Sequence, residues 1–295
     1  MATYVLYNPL AQNGKGAESA NALLSRLGTE DAHLCDITVL NGYDDFFAGL
    51  EATDKVILCG GDGTLNRFAT EASASVLERE IYYYPTGTGN DFWTDLGKSA
   101  EDDPILLTPY LKNLPHVTVN GTESAFINGV GYGIDGYCCE VGDEMKKTSD
   151  KPVNYAGIAV KGLLFHFKPR NAKVTVDGVS HEFKKVWIAP VMHGRFYGGG
   201  MMTAPNQVRN NADGTVSLVM FHGTGKLKTL MIFPSIFKGE HVKHVKHITI
   251  LTGKHFEVAF DRPTPLQIDG ETVHDVEKYT VSAGIPAKAE KVSHN

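Results

Sequence analysis

Ile57-Leu58-Cys59-Gly60-Gly61-Asp62-Gly63-Thr64-Leu65-Asn66 is the stretch that decides the fold: a buried-looking strand runs straight into a glycine-rich turn and then a helical pattern. Gly60, Gly61 and Gly63 let the backbone bend tightly and approach a bulky anion, because no Cβ intervenes and φ > 0 is cheap. The helix start at Thr64 offers free N–H groups to phosphate. Asp62 is the only charged group in the turn, and a carboxylate beside a polyphosphate needs a cation such as Mg²⁺, or a proton, between them. In isolation the same residues would make an ordinary strand-to-helix turn with Asp62 as a helix cap. No Gly-Lys-Ser or Gly-Lys-Thr follows, so this is not a P-loop.

Working outward, Ile81-Tyr82-Tyr83-Tyr84 reads as the next strand and ends in a second loop, Pro85-Thr86-Gly87-Thr88-Gly89-Asn90-Asp91. Ligands of α/β sheets collect outside the carboxyl ends of the strands, so the two loops would face one crevice. Apolar runs at 3–7, 34–40, 55–59 and 81–84 alternate with helical patterns near 15–27, 43–51 and 64–78. That rhythm predicts an open parallel α/β sheet covered on both faces. Asn8-Pro9 ends the first strand and Gly14-Lys15-Gly16 opens the first helix; Asn8 is either a turn former or a phosphate or ribose contact.

From about residue 115 the rhythm changes to short strands joined by Gly, Asp and Asn turns, at 115–119, 123–130, 172–176, 181–191, 215–221, 247–251 and 254–260. Dense strands with few crossover helices predict a β-rich sandwich. The fold class is thus α/β followed by β. Residues 1–125 form the nucleotide domain, 126–284 the acceptor domain, and the tail near 285–295 returns to the first. Val153, Tyr155, Ala156, Ala159, Val160, Leu163, Leu164 and Phe167 repeat at helical spacing, as a core stripe or the border of an acyl-chain pocket. His193 and Arg195, beside Tyr197-Gly198-Gly199-Gly200, read as a polar loop able to line the acceptor entrance.

These motifs together resemble the diacylglycerol kinase catalytic-domain family, which includes sphingosine kinases and has NAD kinases as distant relatives. Gly60 to Thr64 match its nucleotide loop, and Pro85, Gly87, Thr88, Asn90 and Asp91 its second loop. Phe126-Ile127-Asn128 with Gly131, Gly133 and Asp135, then Gly200 with Ala204-Pro205, Asp213-Gly214 and Asp269-Gly270-Glu271, follow in order over most of the chain. The resemblance implies an NAD kinase-like first domain, a cleft between the domains as active site, and transfer of the ATP γ-phosphoryl group to a lipid hydroxyl with Mg²⁺.

It also implies roles. Asp269 is the expected general base, with Glu271 positioning it or sharing a Mg²⁺ network with Asp62 and Asp91. Pro265 to Ile268 read as a strand, and residues two apart on a strand share a face, so both carboxylates would reach one site. In isolation Asp-Gly-Glu is a hairpin turn. Asn8, Gly60, Gly61, Asp62, Gly63, Thr64, Gly87, Thr88, Asn90 and Asp91 would contact nucleotide, and Asp135 could reach the cleft, ranked behind Asp62, Asp91, Asp269 and Glu271. Where the family pattern carries an acidic residue three positions after Asp213-Gly214, Ser217 stands, so a structural Mg²⁺ near Asp213 is not expected.

Composition agrees. A chain of 295 residues that is 42% hydrophobic and 21% charged is an ordinary globular protein long enough for two domains. Cys35, Cys59, Cys138 and Cys139 lack Cys-x-x-Cys spacing and read as thiols in a reducing cytosol. The start, Met-Ala-Thr-Tyr-Val-Leu-Tyr, carries no targeting signal, and no apolar run approaches the roughly 18 residues of a membrane span. A cytoplasmic protein that visits the membrane transiently is therefore expected. Residues 1–125 hold seven Lys and Arg against 18 Asp and Glu, net −11, and the remainder 21 against 16, net +5. A basic second domain suits an anionic bilayer, and no aromatic-interleaved basic stripe suggests nucleic acid. His241, His244 and His247 alternate with Lys243 and Lys246, which reads as a solvated basic face rather than a zinc site.

The expected protein is an ATP- and Mg²⁺-dependent kinase of diacylglycerol or a similar long-chain lipid alcohol, acting in phospholipid metabolism. The alternatives are a kinase of a soluble acceptor, as NAD kinases are, and a non-catalytic nucleotide- or lipid-binding protein. The sequence is compatible with a monomer and with a homodimer.

Overall fold

The computed structural model describes residues 1–29, 31–87, 89–148 and 153–284. Thr88 and the 285–295 tail, both singled out above, lie outside the described residues.

The first domain runs β1 (Thr3–Tyr7), α1 (Ala11–Gly14), α2 (Gly16–Leu27), β2 (Ala32–Asp36), α3 (Tyr43–Ala48), β3 (Lys55–Gly60), α4 (Asp62–Glu71), β4 (Ile81–Pro85), α5 (Asp91–Asp95), β5 (Ile105–Leu106) and α6 (Thr108–Leu111). Its sheet has the order β2-β1-β3-β4-β5, parallel except for β5. Strand alternation divides the apolar residues between two cores. Leu6, Val56, Leu58 and Tyr83 pack with Leu65, Phe68 and Phe92 on one side. Val5, Ile57 and Cys59 pack with Ala20 and Leu23 of α2 on the other. Each fully buried Leu or Ile contributes about 1.5–3 kcal/mol, so β1 and β3 form a rigid base for the loops at their ends. In the β3–β4 register Gly60 stands opposite Pro85, and both glycine-rich loops leave the sheet at one level.

The second domain comprises β6 (His116–Val119), β7 (Thr122–Ala125), β8 (Gly129–Tyr132), α7 (Ile134–Thr148), α8 (Tyr155–Lys161), β9 (Arg170–Val176), β10 (Val179–Val186), β11 (Val191–Met192), β12 (Phe196–Tyr197), β13 (Met201–Met202), β14 (Val216–Phe221), α9 (Lys226–Ile232), β15 (Ile248–Gly253), β16 (His255–Ile268) and β17 (Glu271–Ser282). Ten of these strands, all but β12 and β13, hydrogen-bond into one antiparallel sheet. β16 makes it fold over: Phe256–Phe260 pair with β9, whereas Leu266–Ile268 pair with β8, with an irregular register between Ala259 and Thr264. A bulge of this kind bends a strand and carries it from one layer to the next. Val174 of β9, Leu218 of β14 and Val258 and Leu266 of β16 consequently share one core.

Several expectations need correction. A division after residue 125 splits off the β6–β7 hairpin, which belongs to the second sheet: β6 pairs with β17 from Val119↔Tyr279 to His116↔Ser282. The changeover therefore lies near residue 115, where the strand rhythm itself changes. The 15-residue helix α7 has no counterpart in the sequence reading, because Gly136 and Gly142 depress its helical signal. Gly136 is required by packing: a Cβ there would stand 2.1 Å from the Pro265 carbonyl oxygen. Of the helical stripe, Ala159, Leu163 and Phe167 are core, while Tyr155 and Val160 are exposed. His241 is buried, with a ring nitrogen 2.9 Å from the Thr203 carbonyl oxygen, and so does not belong to a solvated basic face.

Candidate active site

The two glycine-rich loops touch backbone to backbone. A Cβ on Gly87 would lie 2.5 Å from the Gly61 Cα, and one on Gly60 would lie 2.5 Å from the Thr64 Cβ. Thr86 donates its N–H to the Gly60 carbonyl at 2.9 Å, and so does the Tyr83 hydroxyl. Around Gly63 nothing stands within 4 Å of a Cβ position, so that side of the loop is open. Asn90 closes the second loop in the left-handed region at φ 45°, donating to the Gly87 carbonyl at 2.7 Å. Asn8 turns back locally, its side chain accepting the Leu10 N–H at 2.9 Å.

Asp62 caps a helix, but not its own. Its two oxygens accept the N–H groups of Asp91 at 2.7 Å and Phe92 at 3.1 Å, the start of α5. Asp91 in turn reaches into the second domain, accepting from Gly199 at 2.8 Å and Gly200 at 2.7 Å. Burial first, and then the charge of Asp62, push the Asp91 carboxyl up to about 7. Asp62 and Asp91 thus form a carboxylate relay that ties both glycine-rich loops to the Gly198–Gly200 turn.

Asp269 sits in the β16–β17 turn at φ 46°, followed by Gly270 at φ 99°. One carboxylate oxygen accepts from Asn128 N–H at 2.8 Å and Gly129 N–H at 2.9 Å; the other accepts from Ile127 N–H at 2.5 Å and Asn66 Nδ2 at 2.7 Å. Burial raises its pKa and these four donors oppose the rise. Because Asp269 and Gly270 are turn residues, the rule that residues two apart share a face does not apply to Asp269 and Glu271. Glu271 opens β17 at an exposed position, and among the described residues no hydrogen bond joins it to Asp62, Asp91 or Asp269.

A buried ion-pair cluster, unread in the sequence, supports the site from below. Asp95 pairs with Arg195 at 2.8 Å and with Arg209 at 3.0 Å. Arg209 also donates to the Ile127 carbonyl and to Asn128 Oδ1, gripping the segment whose N–H groups hold Asp269. The signals were spacings: Asn66 stands four residues after Asp62, and Asp95 four after Asp91, each pair on one helix face. Arg209 lay in a loop with no local motif. His193 is buried against the Ile127 carbonyl at 3.1 Å, with its pKa lowered to about 3 by burial and by Arg209, so it does not line an open entrance. Asp135 is buried beside Tyr197, whose hydroxyl donates to it at 3.0 Å, and burial raises it to about 6.

Asp213 is exposed in a turn. Ser217 donates to Gln207 Oε1 at 2.6 Å and lies 3.0 Å from the Thr252 hydroxyl, an uncharged network that does not suit a structural Mg²⁺.

A two-domain fold, a mostly parallel α/β sheet followed by an antiparallel β-rich sheet, is what these features define. Residues 2–115 match the model of the diacylglycerol kinase catalytic domain, and residues 128–290 that of the YegS C-terminal NAD kinase beta sandwich-like domain. The chain belongs to this diacylglycerol kinase family of nucleotide-using phosphotransferases. It is 26% identical to a diacylglycerol kinase of Mycobacterium tuberculosis over 251 residues, 81% of this chain and 79% of that one. It is 24% identical to a diacylglycerol kinase of Bacillus subtilis over 231 residues, 76% and 73% of the two chains. In fold it resembles the crystal structure of a diacylglycerol kinase from Bacillus anthracis str. Sterne, with TM-score 0.56, 20% identity and coverage of 96% and 94%. Among the described residues no helix is long and apolar enough to cross a membrane.

Proposed function

We propose that the protein transfers the γ-phosphoryl group of ATP to the hydroxyl of diacylglycerol or a similar long-chain lipid alcohol. The observation that supports this reading is the hydrogen bond from Asn66, two residues beyond the Gly60–Thr64 turn, to Asp269 in the β16–β17 turn, which links the candidate nucleotide helix to the candidate base. Phosphoryl transfer needs little covalent help; it needs alignment of the acceptor, a group to take its proton, and balanced charge.

ATP phosphates would rest on the open side of the Gly60–Thr64 turn, against the first N–H groups of α4. Mg²⁺ usually takes one or two carboxylates, phosphate oxygens and water rather than an all-protein cage. Asp62 and Asp91 fit that demand: every oxygen of the two carboxylates accepts one N–H and keeps lone-pair capacity, and the charge of Asp62 raises Asp91. No group of three metal-ligating side chains stands ready among the described residues. Bound there, Mg²⁺ would neutralise charge on the phosphates.

Asp269 is the proposed base. Three backbone N–H groups and the Asn66 amide hold its carboxylate in one orientation, with Asn66 the one side-chain donor among them. Incubating the protein with labelled ATP and either diacylglycerol in mixed micelles or NAD⁺ tests the acceptor. Label extracted into organic solvent supports the lipid reading; label only in NADP⁺ overturns it.

A further inference from the structure

The second domain has a face its core does not cover. Leu227 and Met231 of α9 are 77% and 81% exposed and, four residues apart, share one side of the helix. Phe165, in the helical turn Gly162–His166 that follows α8, is 72% exposed. The two segments are joined: Lys226 Nζ donates to the Leu164 carbonyl at 2.7 Å, and Leu163, Phe167, Ile232 and Ile236 share the core beneath. Lys226 and Lys228 on α9, and Lys161 and Lys168 flanking the Gly162–His166 turn, are exposed. Neither 153–176 nor 214–239 contains an Asp or Glu.

Large apolar side chains at the surface mark a contact site. The charges carried by these two segments are all positive, and the partner such a face fits is an anionic lipid surface: apolar tips enter the acyl boundary and lysines meet lipid phosphates. A second copy of the chain would set two lysine clusters against each other, which like-charge repulsion opposes.

We propose that this face of α9 and Gly162–His166 seats the protein on an anionic bilayer, with Phe165, Leu227 and Met231 as the inserted side chains. The proposal stands apart from catalysis, because binding is measured without ATP. In vesicle flotation the full chain should bind phosphatidylcholine containing about one-third phosphatidylglycerol and bind pure phosphatidylcholine weakly. Leu227→Glu with Met231→Glu should lower affinity for the anionic vesicles more than about tenfold with unchanged Tm. Lys226→Gln with Lys228→Gln should lower it about tenfold or more at low salt and less at high salt.

Three results would overturn the proposal: unchanged binding by the Leu227→Glu, Met231→Glu variant, equal binding of the wild type to neutral vesicles, or a wild-type homodimer in lipid-free buffer that this variant dissolves. Phosphorylation of detergent-dispersed diacylglycerol by the same variant separates docking from the kinase reading. If the wild type phosphorylates no lipid, the vesicle result still stands.

Discussion

Asn66 Nδ2 donates to Asp269 Oδ2 across 2.7 Å, linking residues 203 positions apart. It is the side-chain bond between the nucleotide helix and the turn that carries the proposed base. Hydrogen bonds to charged groups contribute about 1.5–3 kcal/mol. Asn66→Ala should therefore reduce kcat on lipid roughly 10- to 100-fold while KM for ATP changes little. Steady-state kinetics read both constants, and a normal kcat would remove Asn66 from the account.

The contact of the two glycine-rich loops gives a second expectation. Gly87→Ala places a methyl 2.5 Å from the Gly61 Cα, and backbone cannot yield as a flexible side chain can. The loops must part, costing about 1–3 kcal/mol of stability as overpacking does. KM for ATP should rise while circular dichroism shows the fold retained. Wild-type KM in Gly87→Ala would mean that the loops do not jointly shape the nucleotide site.

Asp91 makes the stability depend on pH. Its folded pKa is raised from 3.8 to about 7, so between those values the native state binds more protons than the unfolded chain. The stability it contributes is complete below about pH 4 and is lost as pH rises through about 7. Asp91→Asn should flatten this part of the curve when urea unfolding is compared from about pH 4 to about pH 8. An identical slope in wild type and variant would contradict the assignment.

Arg209 is buried against Asp95 and also grips Ile127 and Asn128. Arg209→Met leaves Asp95 with Arg195 alone and frees the segment that holds Asp269. Breaking a buried pair from one side costs about 3–5 kcal/mol, readable as a fall in Tm and in the urea midpoint. A loss under about 1 kcal/mol would show that the cluster is not structural.

The sequence made the parallel domain legible because β-strand alternation and the glycine turns are local signals: Val5, Leu6, Ile57 and Leu58 announce both faces of the sheet. Asp62 and Asp91 were legible as charges in glycine-rich turns. Their partners were not, since the donors are backbone N–H groups of Asp91, Phe92, Gly199 and Gly200, and every residue type but proline supplies one. The placement of Glu271 failed for a conformational reason, the positive φ of Asp269 and Gly270, which ends the strand. Helix α7 was hidden by glycines that serve its close packing on β16 rather than its own stability.

Asp269→Asn tests the central claim most directly, because it removes the proton acceptor with the smallest change of side-chain volume, at the cost of two of the four hydrogen bonds the carboxylate accepts. Transfer of labelled phosphate from ATP to diacylglycerol in micelles should proceed with the wild type and fall by more than about 100-fold in Asp269→Asn, with the fold retained by circular dichroism. Asp62→Ala should lose turnover to a similar degree. Wild-type turnover in a folded Asp269→Asn protein would contradict the account.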